Sequence, residues 1–425
     1  MSVIFAPITG RGGAVTVLRL AGAGSFGIAG AMMATLPAAR RASVRVLRGA
    51  DGGILDHALV TLFPAPDSFT GEDCVEISVH GGRAVLAAVS DALVAAGARP
   101  AEPGEFSRRA FNNQKLDLLQ AEAVADLIAA ETEAQRRLAI DGADALQKLC
   151  GQWREALRLI MAQQEVLIDF PDEDLPPGVE AKFLSEIEIL RAEMRGVLAT
   201  APAAERLREG LEFVILGPPN AGKSTLLNAL AGADIAIVSE TPGTTRDAIG
   251  VRLNLSGVPV HVTDTAGLRD TTDAIEAEGV RRAFDRASKA DLIIAVAAAP
   301  DAVFPVPPAG VETIYVVTKS DLLEAPQEGS ISVKTGAGLA EFMQKLTDIA
   351  LRLTDTKGAA ALARPRQIFS VRAAADALAN ALVVREPELR GEELRTAATE
   401  LARLTGTIGV EEILDAVFGG FCIGK

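Results

Sequence analysis

Cysteine is scarce. Cys74, Cys150 and Cys422 are the only three in 425 residues. They are widely spaced and odd in number, which excludes a disulfide framework and a zinc knuckle and fits a reducing compartment. Long apolar runs are missing too. No stretch reaches the roughly 18 residues that a membrane helix needs, so no span is expected. Met1-Ser2-Val3-Ile4-Phe5-Ala6-Pro7 has no basic region ahead of an apolar core, so export is not expected and a cytoplasmic location is. Positive charge is in deficit, with a formal net charge of −14. That argues against a generally basic nucleic-acid surface and leaves a local patch, or a partner protein, to supply one. What is present is an alanine-rich globular composition, at a length that implies more than one domain.

The most informative stretch is Gly217-Pro218-Pro219-Asn220-Ala221-Gly222-Lys223-Ser224. It follows the apolar run Leu211–Leu216 and precedes the apolar-periodic Thr225-Leu226-Leu227-Asn228-Ala229-Leu230, so it reads as strand, glycine loop, helix. Such a loop turns its backbone N–H groups inward around a polyphosphate, and the helix N-terminus behind it adds positive potential. Asn220, Ala221, Gly222, Lys223, Ser224 and Thr225 are the candidate cradle. Lys223 is placed to reach the β- and γ-phosphates, and Ser224 to ligate magnesium. A chance glycine-rich turn is the plain alternative, and the strand-loop-helix context weighs against it.

Further motifs narrow the nucleotide to GTP. Asp264-Thr265-Ala266-Gly267 closes the run Val258–Thr263; its aspartate suits the magnesium shell and its glycine N–H the γ-phosphate. Thr318-Lys319-Ser320-Asp321 closes Thr313–Val317. A carboxylate there accepts from the two adjacent N–H donors of guanine. Adenine lacks that pair and would leave Asp321 unmatched, at a cost of about 1–3 kcal/mol. Gly243-Thr244-Thr245-Arg246-Asp247 lies where a mobile switch belongs, and Ser332-Val333-Lys334 is placed to touch the base from its other edge. Each short motif alone could be an ordinary turn; their order on successive strands argues otherwise. Two residues common at such sites are lacking. The guanine motif begins with Thr318 where asparagine is usual. A hydroxyl replaces some of the amide's bonds, so selectivity is expected to survive on Asp321 with weaker affinity. Gly267 is followed by Leu268, where many small GTPases carry a water-orienting glutamine. Another group must position the water, and a cation from elsewhere must meet the developing charge.

Four segments are expected. Residues 1–115 mix short β-like runs (Ala14–Leu20, Ala58–Phe63, Val75–Val79) with glycine turns and a helix Ala84–Ala96 ending at Gly97, an α+β domain. From Leu116 the apolar spacing is helical, through Leu146, Cys150, Trp153, Leu157 and Ile160, with a second helix over Ala181–Leu198; residues 116–206 are the first part of a helical domain. Residues 207–357 hold the nucleotide motifs. Helical periodicity returns in 358–425, so the nucleotide domain reads as an insertion into a helical domain made of two pieces.

Ser68-Phe69-Thr70-Gly71-Glu72-Asp73, His80-Gly81-Gly82, Pro103-Gly104-Glu105-Phe106 and Lys115-Leu116-Asp117-Leu118 stand in the first segment. Gln120-Ala121-Glu122-Ala123, Ile168-Asp169-Phe170-Pro171 and the closing Phe421-Cys422-Ile423-Gly424-Lys425 follow. With the nucleotide motifs, these resemble the TrmE/MnmE family of tRNA uridine-modifying GTPases along the whole chain. Arg364-Pro365-Arg366-Gln367 opens the last helical stretch less typically. The resemblance implies a multidomain α/β protein: an N-terminal α+β folate-binding domain that forms a homodimer, a discontinuous helical domain, and an inserted P-loop GTPase domain with a Ras-like doubly wound sheet. It implies work with an FAD-dependent partner of the MnmG type. Together they would add an aminomethyl or carboxymethylaminomethyl group at the 5-position of wobble uridine in tRNA, with 5-formyl- or methylene-tetrahydrofolate carrying the one-carbon unit.

The resemblance also assigns residues. Arg19, Glu76, Lys115 and Lys425 match the family's folate contacts; on residue type alone they are strand or surface charges. A carboxylate suits the pterin's adjacent N–H donors and cations suit the glutamate tail. Potassium is implied at Asn220, Ser239, Thr241 and Thr244 when two GTPase domains meet, and magnesium at Ser224 and Thr245. Glu276 matches the catalytic glutamate, with Lys223 and Thr245 beside it; without the resemblance, Glu276 reads as a solvated helix-start carboxylate and Asn220 as a loop amide. Cys422 is either near the one-carbon site or a buried structural thiol, and Cys422-Ile423-Gly424-Lys425 is a poor prenylation box. His80 is a turn residue or a catalytic one. Two other functions share some of the signals. A ribosome-assembly GTPase explains the loop and switch but not Phe421–Lys425 or the first domain, and a phosphoryl-transferring kinase leaves Asp321 unexplained.

Overall fold

The computed structural model describes residues 2–10, 12–169, 178–233, 236, 250–264, 284–325, 328–356, 362–407, 414, 417–421 and 424. The chain divides into two compact units, Met1–Ala125 with Thr399–Lys425, and Asp126–Ala398.

The first unit is built on a six-stranded sheet of order β3-β4-β5-β2-β1-β6. Its strands are β1 Ile4–Pro7, β2 Val15–Ala21, β3 Ser43–Arg48, β4 Ile54–Phe63, β5 Cys74–His80 and β6 Arg99–Pro100. All pairs are antiparallel except β1 with β6. Alternation sorts the side chains. Leu18 and Leu20 of β2, Ala58, Val60 and Leu62 of β4, and Val75, Ile77 and Val79 of β5 enter one core. Helices α1 (Ser25–Ala31) and α2 (Arg83–Ala95) cover it with Ala29, Val89 and Leu93. Helix α2 ends as its sequence expects, with Ala96 capping it and Gly97 at φ +98°. The opposite face carries Arg19 and Glu76, directly paired across β2 and β5. It also holds a smaller cluster of Ile4, Ala6, Ala21, Cys74 and Phe106, the last from helix α3 (Glu105–Asn112).

The C-terminal segment belongs to this unit. Leu414, Phe418 and Phe421 pack with Leu118 and Ala121, which lie on helix α4 (Leu118–Ala129). Gly104 (φ +66°) lets the Phe418 carbonyl approach; a Cβ there would stand 2.3 Å from that oxygen. Gly424 (φ +102°) meets the end of β1 as closely, since a Cβ would stand 2.3 Å from the Pro7 oxygen. Glycine is the residue that both positive φ and such an approach require.

The second unit starts with the short helix α5 (Glu133–Arg137), opened by a Thr132–Gln135 capping box. A π-turn, Leu138–Gly142, leads into α6 (Ala143–Asp169). Trp153 is fully buried and donates from its ring N–H to Glu193 at 3.3 Å. Helix α7 spans Val179–Glu209, well past Leu198. The expected end at Leu198 is therefore too early. The apolar spacing continues through buried Ala201, Ala204 and Leu207, and packing holds the turn around Pro202, which lies inside the helix.

From Gly210 the chain enters a five-stranded sheet of order β11-β10-β7-β9-β8. Its strands are β7 Leu211–Leu216, β8 Gly250–Leu255, β9 Val258–Asp264, β10 Leu292–Ala298 and β11 Thr313–Thr318. All pairs are parallel except β8 with β9. Strand β10 is buried along nearly its whole length, as a central parallel strand must be. Helices α8 (Lys223–Ala231) and α9 (Leu339–Leu353) pack on the sheet through Leu226, Leu227, Leu230, Phe342 and Leu346. The chain then returns as α10 (Pro365–Val383), with proline at its first turn, and α11 (Pro387–Thr405). Helix α10 packs along α7. The five-stranded sheet is thus an excursion between two helices that lie against each other. Among the described residues, no helix is long and apolar enough to cross a membrane.

Candidate nucleotide site and a charged face of the first sheet

The nucleotide loop leaves the C-terminal end of β7, the end where open α/β sheets bind ligands. Gly217 cannot carry a side chain: a Cβ would stand 2.4 Å from the Val296 carbonyl oxygen of β10. Asn220 adopts φ +62° and Gly222 φ +85°, two left-handed residues that curl the main chain. Gly222 precedes α8 with no side chain to compete for its first N–H groups. Lys223 is buried and folds its ammonium over the loop, donating to the Gly217 and Pro218 carbonyls at 2.8 and 2.9 Å. The Ser224 hydroxyl donates to Asp264 Oδ2 at 3.0 Å, so the end of β9 and the start of α8 bring two oxygen donors together. Hard oxygen ligands of this kind fit magnesium. Thr225 is exposed in the first turn of α8.

The end of β11 carries the candidate base-contacting residues. Thr318 is buried, and its hydroxyl lies 2.6 Å from the Ala221 carbonyl and 3.2 Å from that of Ala297. The hydroxyl thus ties this strand to the nucleotide loop, a link that asparagine would make through its amide. Lys319, at φ +57°, donates to the Asn220 carbonyl at 2.9 Å. Asp321 follows in a short 3₁₀ turn and accepts from the Ser332 hydroxyl at 2.7 Å. That bond, helped by Lys334 and Lys319 against some loss of solvation, holds its carboxyl below the usual range. An ionised Asp321 is the acceptor that guanine requires.

The second cluster lies on the open face of the first sheet. Arg19 sends both its Nε (3.1 Å) and Nη2 (2.8 Å) to one oxygen of Glu76, Oε1. The guanidinium also stands over the Phe69 ring, 4.7 Å from its centroid, and 5.9 Å from that of Phe106. The Ser68–Asp73 loop links this pair to Lys115: Phe69 touches Arg19, while a Cβ on Gly71 would stand 3.2 Å from Lys115 Cγ. Arg109 fixes the loop through Glu72 at 3.1 Å, and Asn113 through the Thr70 carbonyl at 2.7 Å. Arg19, Glu76 and Lys115 are therefore gathered around one loop. Ala6 is the register partner of Arg19, and the neighbouring Pro7 is the residue that Gly424 meets. Sequence reasoning misses the contacts of Phe69 and Phe106 with the Arg19 guanidinium, although both residues lie in motifs it singles out. An aromatic in a loop carries no sign of the cation it faces.

His80, at the end of β5, is 71% exposed and bonded to buried Asp56 through Nδ1 at 2.7 Å. Its backbone N–H also donates to Asp56 at 2.7 Å, so the pair anchors a strand end. Cys74 and Cys150 are buried. The switch Gly243–Asp247, the candidates Ser239, Thr241, Thr244, Thr245, Thr265, Ala266, Gly267 and Glu276, together with Leu268, Cys422 and Lys425, lie outside the described residues.

Two family descriptions match the chain: "GTP-binding protein TrmE N-terminus" over residues 3–115 and "MnmE helical domain" over residues 118–422. The chain is similar to the tRNA modification GTPase MnmE of Acidiphilium cryptum, with 57% identity over 100% of this chain and 98% of the relative. It resembles that of Gluconacetobacter diazotrophicus at 50% identity, over 99% of this chain and 98% of the relative. That of Granulibacter bethesdensis is 49% identical, with 99% of each covered.

Proposed function

The chain belongs to the MnmE (TrmE) family, and from that premise we propose that it is a GTPase of tRNA wobble-uridine modification. In this reading it hydrolyses GTP to drive a conformational cycle, and with an FAD-dependent partner of the MnmG type it adds the (carboxymethyl)aminomethyl group at the uridine 5-position. The observation that carries the reading is the convergence at one strand-end edge of Lys223, the Ser224–Asp264 pair and the Ser332–Asp321 pair, in a chain similar to its relatives from end to end.

The residues divide the work. The loop N–H groups and Lys223 hold the phosphates. Ser224, Asp264 and Thr245 would hold magnesium. Asp321 accepts from the two guanine N–H donors, and Thr318 and Lys319 fix that strand end to the loop. When bound, magnesium and potassium would supply positive charge to the phosphates, and a reduced folate would supply the one-carbon unit. Asn220, Ser239, Thr241 and Thr244 would hold potassium, and Glu276 would orient the attacking water in place of the glutamine that Leu268 displaces. Glu76 offers its carboxylate to the pterin donors while Arg19, Lys115 and Lys425 meet the anionic tail; Phe69 and Phe106 offer it ring faces. The first unit is read as the homodimer contact.

The test is nucleoside analysis of tRNA from a strain lacking this gene. Loss of the 5-substituent on wobble uridine, restored by the wild-type gene, is expected; unchanged tRNA would overturn the function. GTP turnover in potassium against sodium checks the cation, and equal rates would remove it. Undiminished turnover in Glu276→Ala would remove the role of that carboxylate.

A further inference from the structure

We propose that the groove between α7 and α10 docks single-stranded RNA, holding backbone phosphates and one unstacked base; the inference rests on the tRNA-modification reading above. The groove encloses about 470 Å³. Helix α7 lines it with Arg191 and Arg195, and α10 with Arg372, Asp376, Ala375 and Ala379. The spacing explains the stripe. Arg191 and Arg195 are one turn apart, as are Arg372 and Asp376, so each helix turns its charges along the seam where the two pack.

Three features select the ligand. First, three guanidiniums meet two carboxylates here, Asp376 and the Glu188 that Arg191 bonds, which leaves a net positive charge in a chain whose total is −14. This is a local patch of the kind that an acidic protein needs before it can hold a polyanion. Guanidiniums also match phosphate oxygens in bidentate geometry. Second, Arg191 reaches Glu188 through Nη2 at 2.9 Å, yet its Nε is buried with no hydrogen-bond partner. A buried unsatisfied donor lining a groove asks for an acceptor. Third, Phe369 stands one turn before Arg372 on α10, outside the residues that line the groove, and is 69% exposed. Aromatic residues are only 4% of the chain, and such an exposed ring beside a basic groove is a platform for an unstacked base. A small alanine floor leaves room for the ribose-phosphate chain between the helices.

The experiment uses the full chain, a fluorescent tRNA transcript with unmodified wobble uridine, and a salt series. In Arg195→Gln/Arg372→Gln, affinity is expected to fall about tenfold or more near ~0.1 M salt, with the log–log salt slope reduced by about 1–2. In Phe369→Ala, affinity should fall severalfold at every salt concentration with the slope unchanged. GTP hydrolysis stays at the wild-type rate in all variants, which shows that they are folded. Wild-type affinity and slope in the double variant, or no tRNA binding by the wild-type chain, overturns the proposal. Retained tRNA affinity with loss of the co-purifying FAD-dependent partner overturns it too, and assigns the groove to an acidic protein surface. If the groove fails while the wild-type gene still restores wobble-uridine modification, the function stands without it. If the gene restores nothing, the function falls whatever the binding data show.

Discussion

At the Gly217–Ser224 loop the main chain would form the proposed binding surface; at Arg19 and Glu76 side chains would form it. The loop needs glycine where β10 crowds it, left-handed turns at Asn220 and Gly222, and a helix start left open by Gly222. Those requirements fall on consecutive residues. The charged face of the first sheet is assembled from β2, β5, the Ser68–Asp73 loop and the segment after α3, with Arg19 and Glu76 brought opposite by strand register. A main-chain site tolerates many side chains but no change of path. A side-chain site tolerates changes of path that keep the register, but not the loss of a charge.

The largest effect should come from breaking the path. In Gly217→Ala the new methyl would meet the Val296 carbonyl at 2.4 Å, backbone against backbone, so the loop has to move. A displacement near 1 Å costs on the order of 100-fold in positioned catalysis. GTP turnover should fall by that factor or more, with folate binding intact. Turnover within about threefold of wild type would show that the loop is not path-limited.

Next comes a loss of charge. Glu76→Ala removes the partner to which Arg19 directs two hydrogen bonds. Calorimetry should find 5-formyltetrahydrofolate binding lost, with GTP hydrolysis unchanged. Both groups are partly exposed, so the cost in stability is only about 1 kcal/mol. Wild-type folate affinity would return Glu76 to an ordinary cross-strand ion pair.

This contrast also explains what the sequence discloses. The glycine loop, β7, β9 and β11 are legible because one contiguous segment states both the motif and its context. The end of α7 is not: Pro202 signals a stop, and only the packed faces of Ala201, Ala204 and Leu207 override it. The cation–aromatic contact of Arg19 with Phe69 spans 50 positions in the sequence and depends on register and loop shape, which no local pattern records. Arg19 and Glu76 are visible only by likeness to relatives, because a single strand charge looks the same whether it faces water or a ligand.

Thr318 tests where the two styles of site meet, since a side chain there serves the main-chain loop. Thr318→Val keeps the shape and removes the hydroxyl from the Ala221 and Ala297 carbonyls. An unsatisfied buried carbonyl costs about 1–3 kcal/mol, so GTP affinity should fall roughly tenfold. Thr318→Asn, which supplies the commoner side chain, should hold or tighten GTP. Equal affinity in Thr318→Val and wild type would show that the hydroxyl link is dispensable. Asp321→Asn addresses the base itself: GTP should weaken and xanthosine triphosphate should compete, because the amide reverses one donor–acceptor pair.

The smallest effect compares two aspartates. Asp321 is held ionised by a side-chain hydroxyl, Asp56 by the sheet's own N–H groups. Burial pushes the Asp56 carboxyl up, but the backbone N–H groups of His80 and His57 and the His80 ring outweigh it, leaving it below its ordinary 3.8. A carboxylate whose folded value is depressed adds stability above its unfolded value and loses it as pH falls through the folded one. Asp56→Asn removes that titration while keeping the shape. The urea midpoint of the wild type should therefore lie above that of the variant at pH values above about 5. The gap should close progressively below about pH 4, as Asp56 protonates. A gap that stays constant to the lowest pH would mean that its value lies in the shape of the hydrogen bonds rather than in charge. The strand end at His80 would then be a main-chain anchor of the same kind as the nucleotide loop.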